Sequence, residues 1–189
     1  MNGLIAVLVW PCMGFVTELE RLLDQARELL GNGDDTMLGD AQNAVNQALQ
    51  LAPDSVDAWL LKCQITSAMG DDPGALAAVE MALRRAPYRL ECLYWRGAVL
   101  GDLGKAREAL SSIEAALAML DDADHWLLED LVYEKVILLD ALGLHDAAVA
   151  ACKAGLDRCP GSALLRAALV PAERTRVRST LKVLRGGVG

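Results

Sequence analysis

The stretch Gly70–Pro87, GDDPGALAAVEMALRRAP, carries the pattern on which the fold prediction rests. Within it, small or apolar side chains recur as Ala75-x3-Val79-x2-Ala82, and Pro87 follows. Residues four and seven positions apart lie on one face of an α-helix, so this spacing predicts a helix with one packing face. Proline cannot continue a helix, and Pro87 therefore predicts where this helix stops.

The same pattern recurs in register along the chain. Its first alanine is at Ala41, Ala75, Ala109 and Ala148, with steps of 34, 34 and 39 residues. The extra five residues of the last step fall near residues 121–125. Glycines stand five residues before three of the alanines, where each is expected to end a helix in the left-handed conformation: Gly70, Gly104 and Gly143. Prolines close three of the second helices: Pro53, Pro87 and Pro160.

This 34-residue repeat pattern resembles that of the tetratricopeptide repeat family. The resemblance covers roughly residues 16–160 and is weaker in the first helix of each unit, where Trp59 and Gly97 match the family's aromatic and small positions. It implies an all-α, right-handed superhelical solenoid of about four helical hairpins with N- and C-terminal capping helices. The expected organisation is an apolar segment over 1–14, a repeat domain over 15–160, and a basic C-terminal capping helix and short tail over 161–189.

The local signals inside and after the repeats lead to three smaller predictions. Asp72 and Pro73 predict an N-cap followed by the first helical residue. Ser162 is expected to cap a helix over 163–170, and Pro171 to open a further basic segment. The helix predicted over Phe15–Leu30 is amphipathic and suits the N-terminal cap.

The resemblance also implies a binding groove on the concave face, lined by set positions of each first helix. Those positions fall on Asp57, Leu60, Gln64, Glu91, Tyr94, Ala98, Asp130, Tyr133, Glu134 and Ile137. The alternative reading is that these are ordinary exposed helix residues. As a groove they form an acidic wall with two tyrosines, and none is the Lys or Asn with which some such domains clamp a terminal carboxylate. A basic and apolar partner segment is therefore expected, including the chain's own tail, Arg174–Arg185.

Charge is distributed unevenly along the 189 residues, whose formal net charge is −8. Residues 162–189 hold six Lys and Arg against one acidic residue, whereas residues 1–161 hold 12 against 25. An acidic body repels nucleic acid and anionic membranes, so neither is an expected partner. Contact with nucleic acid or an anionic membrane through the basic tail is a weaker alternative.

With 53% hydrophobic residues, the chain can bury a core, which argues against disorder.

Sequence motifs for catalysis, metals and cofactors are absent. Nucleotide-binding, zinc-protease and serine-hydrolase motifs do not occur, so no enzyme activity and no cofactor are expected. His125 and His145 fall in predicted turns and are expected to be solvated. The acidic runs at 34–35, 71–72 and 121–124 lack the calcium-loop pattern and are expected to cap helices.

The five cysteines predict buried free thiols. They are Cys12, Cys63, Cys92, Cys152 and Cys159, an odd number with no CxxC pair. Zinc sites usually show such pairs, so no metal site is expected. A disulfide is not expected either, because the cysteines of the repeats are spaced at separate packing positions.

The sequence thus favours a non-catalytic adaptor that holds a peptide or partner domain in its concave groove. The apolar run Leu4–Trp10 is too short to span a bilayer and lacks a basic leader, which favours a cytoplasmic protein. The alternative is an exported or membrane-associated assembly factor, with this run as its targeting segment.

Overall fold

Helices account for nearly all of the residues that the computed structural model describes, which are 13–32, 35–120 and 126–186. They are α1 (Met13–Gly31), α2 (Asp35–Leu51), α3 (Val56–Ala68), α4 (Asp72–Arg85), α5 (Leu90–Asp102), α6 (Ala106–Ala118), α7 (Leu128–Ala141), α8 (His145–Arg158) and α9 (Ala163–Gly186). The predicted insertion at 121–125 and the apolar run before Met13 lie outside the described residues. None of the helices described is both long and apolar enough to cross a membrane.

Consecutive helices pair as antiparallel hairpins, and the hairpins stack into two layers. α1 packs on α2, α3 on α4, α5 on α6, and α7 on α8, while α9 covers the end of the stack. The odd-numbered helices α1, α3, α5, α7 and α9 each contact the next one in their layer, whereas no two even-numbered helices of the described chain touch. The odd layer is therefore the inner side of a curved solenoid and the even layer is the outer side. The helix predicted as an N-terminal cap is at the same time the first helix of the first hairpin.

The repeated alanines lie at the joints between paired helices. Ala41, Ala75, Ala109 and Ala148 are all 0% exposed, which confirms the alignment of the four repeats. A side chain of one carbon lets the backbones of the two helices approach closely. Gly97 of α5 likewise allows close approach of α5 and α6, because a Cβ at this position would overlap the Ile113 side chain of α6.

The turns inside the hairpins follow the predicted glycine positions. Gly70, Gly104 and Gly143 have φ angles of 77°, 72° and 75°, the left-handed conformation that glycine adopts without strain. The cap of α4 lies one residue earlier than predicted. Asp71, not Asp72, is the N-cap and accepts a hydrogen bond from the Gly74 backbone N–H at 3.0 Å. The helix begins where the first N–H groups find an acceptor, and the side chain of Asp71 supplies it.

The C-terminal cap is one helix, where the sequence predicted two segments. Ser162 does cap it, with its hydroxyl accepting from the Leu165 N–H at 2.9 Å. However, α9 continues through Pro171 as far as Gly186. The Lys153–Glu173 and Arg176–Asp146 ion pairs, at 3.2 and 3.9 Å, tie the part beyond the proline to α8. Packing against the preceding hairpin offsets the loss of one helical hydrogen bond.

Candidate functional site

The predicted groove residues lie on three neighbouring helices of the inner layer, namely α3, α5 and α7. This layer is the side on which the solenoid curves inward, so its side chains surround the space open to a partner. The helices contact each other directly, which brings residues of adjacent repeats within electrostatic reach. Their charges, however, are not equivalent, and the groove divides into two parts.

In the first part, the predicted acidic residues already have a cationic partner. Arg89, just before α5, donates to Asp57 with 2.7 Å between Nη1 and Oδ1, and to Glu91 with 3.2 Å between Nε and Oε2. The fold is responsible, because the turn between α4 and α5 carries Arg89 beside the first turn of α3. Asp57 and Glu91 therefore contribute much less negative potential to the groove than their sequence suggests.

The second part, formed by α5 and α7, retains unpaired carboxylates. We define the acidic cluster as Tyr94 and Asp102 of α5 with Asp130 and Glu134 of α7. Burial raises the pKa of Tyr94 to about 12, with the charges of Asp130 and Glu134 acting in the same direction. Burial likewise raises the pKa of Glu134, with additional repulsion from Asp102 and Asp130. Glu134 is thus within electrostatic reach of both Asp102 and Asp130, and Tyr94 lies within reach of Asp130 and Glu134.

No lysine or arginine of the described chain pairs with the three carboxylates of the acidic cluster. The cations of these helices are instead paired with outer-layer helices. Lys62 donates to Asn46 of α2 at 3.0 Å, Arg96 donates to Ser112 of α6 at 2.6 Å, and Lys135 pairs with Glu114 of α6 at 2.8 Å. The cationic side chains thus stabilise the joints and leave the cluster's charge uncompensated.

The remaining predicted residues differ in the surface they offer. Leu60 is 7% exposed and packs in a core cluster with Cys63 and Ala75, so it offers a partner almost nothing. Gln64, Ala98 and Tyr133 are partly exposed. Ile137 is the most open apolar residue of the set, at 45% exposure.

Two residues of this region escaped the sequence analysis. Arg89 lies between helices rather than at a groove position, so the family pattern does not include it. Asp102 occupies the last position of α5, beyond the groove positions, and it comes within electrostatic reach of Glu134 only when α5 and α7 pack together. The acidic residue two positions after Arg89 is a signal for the Arg89–Glu91 pair, whereas no local signal indicates the contact of Arg89 with Asp57.

The two histidines differ in what the structure describes. His125 lies outside the described residues. His145 was expected to be a solvated turn residue, which is wrong, because it is partly buried at the start of α8 with its Nδ1 2.7 Å from Asp140 Oδ1. The turn after Gly143 brings the first residue of α8 back against α7. Among the residues described, no group of His, Cys, Asp and Glu could hold a metal ion.

The thiols of the described residues lie in or beside the core, and Cys12 falls outside those residues. Cys63, Cys92, Cys152 and Cys159 are free, and the first three are 0% exposed. Cys63 and Cys92, from different repeats, share one core cluster. Burial raises the pKa of Cys63 to about 12 and that of Cys92 to about 11, so neither thiol is reactive at neutral pH.

Comparison with known proteins places the chain by its structure. No family model and no curated protein sequence matches it. Among solved structures, TTC0263, a thermophilic TPR protein of Thermus thermophilus, is similar with a TM-score of 0.69 and 22% identity, over 82% of this chain and 80% of that one.

Two further solved structures extend the comparison. MamA is similar with a TM-score of 0.69 and 17% identity, over 90% of both chains. YrrB, described as a TPR protein with an unusual peptide-binding site, has a TM-score of 0.64 and 19% identity over 86% of this chain and 84% of that one. At such identities the likeness establishes the architecture of stacked hairpins alone.

Proposed function

We propose that this chain, which has the tetratricopeptide-repeat fold, is a non-catalytic adaptor that binds a basic segment of a partner protein in its inner groove. The observation that carries the proposal is the acidic cluster, where Glu134 lies within electrostatic reach of Asp102 and Asp130 and no lysine or arginine of the described chain pairs with these carboxylates. A folded protein gains nothing in stability from such an arrangement, because like charges at partly buried positions repel. Binding a cationic group would relieve that cost.

The aromatic residues of the groove fit the same role. Tyr94 packs edge-on against Trp95, with ring centroids 5.8 Å apart, which fixes its ring in the cluster. A rigid tyrosine beside carboxylates offers a lysine or arginine both a flat apolar surface and nearby negative charge. Tyrosine is also among the residues that contribute most to protein interfaces.

The similar protein YrrB is described as having a peptide-binding site, and the same fold supports the same class of role here. Among the described residues, Arg89 at the first part of the groove is engaged by Asp57 and Glu91 and is therefore not left for an acidic peptide. The proposed partner segment is therefore basic, and its identity is defined by that chemistry.

Calorimetric titration of the full chain with two peptide pools tests the proposal. The pools have equal length and apolar content, and one carries Lys and Arg where the other carries Asp and Glu. We expect heat of binding with the basic pool only, and its affinity should fall as salt rises, because exposed charge pairs are screened. Equal binding of both pools, or preference for the acidic pool, would contradict the proposal.

A further inference from the structure

A cavity of about 220 Å³ opens between α7 and α9, one helix junction beyond the acidic cluster. Its wall on α7 includes Tyr133, Val136 and Ile137, and its wall on α9 includes Ala167, Ala168 and Pro171. Both helices belong to the inner layer, so the cavity opens on the same face as the groove. Only Tyr133 and Ile137 of this set were predicted from the sequence.

The cavity exists because α9 presents small side chains to α7. At the preceding junction, leucines fill the space, and Leu100, Leu131 and Leu138 are no more than 3% exposed. At the last junction, α9 places Ala167, Ala168 and Ala172 beside Leu164, and the three alanines leave part of that space empty. Pro171 also borders the cavity, and it has no N–H to continue the helical hydrogen bonds at that point.

The size and lining of the cavity suit one aliphatic side chain. Small-molecule sites usually measure roughly 300–1,000 Å³, and this cavity is smaller. On the α7 side Asp140, whose Oδ1 lies 2.7 Å from His145 Nδ1, borders the cavity. Glu134, which has no such partner, lies one helical turn before Ile137 and Leu138 on the same helix. An occupant that reaches the cavity along the groove therefore passes the uncompensated carboxylates.

We infer that this cavity is the anchor site for a leucine-like side chain of the basic segment bound by the acidic cluster. The inference rests on the proposed function and adds to it the second half of the recognised sequence. The anchor supplies apolar burial, and the lysine or arginine beside it supplies charge complementarity. A segment with only one of the two features satisfies only one part of the groove.

The geometry sets the separation between the two side chains. Neighbouring packed helices lie about 8–10 Å apart, so the α5–α7 and α7–α9 junctions are separated by about that distance. An extended peptide advances about 3.3 Å per residue, which places the basic and aliphatic residues about three positions apart. The recognised pattern is therefore Lys or Arg, two intervening residues, then Leu, Ile or Val, in either chain direction.

Fluorescence anisotropy with labelled decapeptides tests this pattern on the full chain. The reference probe carries one Lys and one Leu separated by two glycines, in a Gly/Ser background. Companion probes replace Leu by Ala, replace Lys by Gln, or place the two residues adjacent. The Leu-to-Ala probe should bind about tenfold more weakly, because a buried leucine side chain contributes more apolar area than alanine. The adjacent arrangement should bind as weakly as the Ala probe.

Variant proteins separate the cavity from the acidic cluster. Ala167→Leu fills the cavity from an exposed position on α9, so the fold is expected to persist. Ala154→Leu makes the same change on an exposed position of α8 in the outer layer and serves as the matched control. With Ala167→Leu, the difference between the Leu and Ala probes should disappear, while Ala154→Leu should retain it.

The possible outcomes distinguish this inference from the proposed function. If Glu134→Lys abolishes binding but Ala167→Leu changes nothing, the cavity assignment is wrong and the groove proposal stands. If neither variant affects binding, both are wrong. Sedimentation of the full chain supplies a third outcome: a dimer that Ala167→Leu disrupts would show that a second copy occupies the cavity and would overturn the inference.

Discussion

Arg89 donates to Asp57 across the junction between α3 and α5, with 2.7 Å between the guanidinium nitrogen and the carboxylate oxygen. The pair joins two repeats and neutralises a residue that, by sequence alone, belongs to an acidic groove wall. Because Arg89 also contacts Glu91, the negative potential of the groove shifts toward α7. The groove is therefore acidic at one end only.

The first prediction concerns this division of charge. Asp57→Asn should weaken binding of a basic peptide by less than about twofold, because the carboxylate it removes is already paired and partly exposed. Glu134→Gln should weaken it by about tenfold, because that carboxylate has no other cation. Calorimetric titration of both variants with the same peptide measures the two effects, and equal losses would show that Arg89 does not neutralise the first part of the groove.

The second prediction concerns stability. Burial raises the pKa of Glu134 above its ordinary value of 4.5, so the folded state binds this proton more tightly than the unfolded state does. The corresponding stabilisation is present below pH 4.5 and is lost as pH rises through the raised pKa. Glu134→Gln should therefore stabilise the folded protein at pH 7 by up to about 0.5 kcal/mol, since solvent screens a partly exposed group.

Thermal unfolding of the wild type and of Glu134→Gln between pH 4 and 8 measures that difference. The gap should be largest at neutral pH and should close as pH falls toward the carboxyl range. A variant that is less stable than the wild type at pH 7 would show that Glu134 makes a stabilising contact in the free protein. If Glu134 serves partner binding, the Glu134→Gln variant should be more stable than the wild type and should bind the basic peptide more weakly.

The third prediction concerns packing. Gly97→Ala should destabilise the protein by about 1–3 kcal/mol, because the added methyl group overlaps the buried Ile113 side chain. Gly39 of α2 is the control, since a Cβ there meets nothing within 4 Å. Gly39→Ala should instead stabilise by about 0.5–1 kcal/mol through helix propensity. Chemical denaturation of the two variants gives the free energies, and equal effects of the two would contradict the packing account.

Most of this fold could be predicted from the sequence because one spacing pattern repeats along the chain. A 34-residue step with alanine at every joint leaves little choice of architecture, and Ala75 and Ala109 are buried as the step requires. The recognised repeat and the all-α fold are thereby confirmed. Exact caps were less predictable: Asp71 and Asp72 are equivalent in sequence, and only the turn geometry after Gly70 selects the first.

The candidate site was less predictable because its properties depend on pairs of distant residues. The family pattern locates Asp57, Asp130 and Glu134 equally well, but it does not report which of them meets a cation. Arg89 is 32 positions beyond Asp57 in the sequence and reaches it only after the hairpins stack. The cavity beside Ile137 similarly depends on small residues of α9, where the repeat pattern has already ended.

The fourth prediction concerns the cysteines. Alkylation of the native protein at pH 8 should label Cys159 before Cys63 and Cys92, whose burial raises their pKa values to about 12 and about 11. Mass spectrometry of the labelled peptides gives the order. After denaturation without reductant all five thiols should react, whereas a stable count of three would show a disulfide.

Charge reversal at one inner carboxylate tests the central claim, which is that this solenoid binds basic segments through the acidic cluster. Glu134→Lys and Glu80→Lys change the net charge equally, but Glu80 lies exposed on α4 of the outer layer. Titrated with the basic peptide pool, Glu134→Lys should lose at least about tenfold in affinity, while Glu80→Lys should stay within about twofold of the wild type. Equal losses in the two variants would show that the peptides follow net charge alone, and unchanged binding by Glu134→Lys would contradict the assignment of the groove.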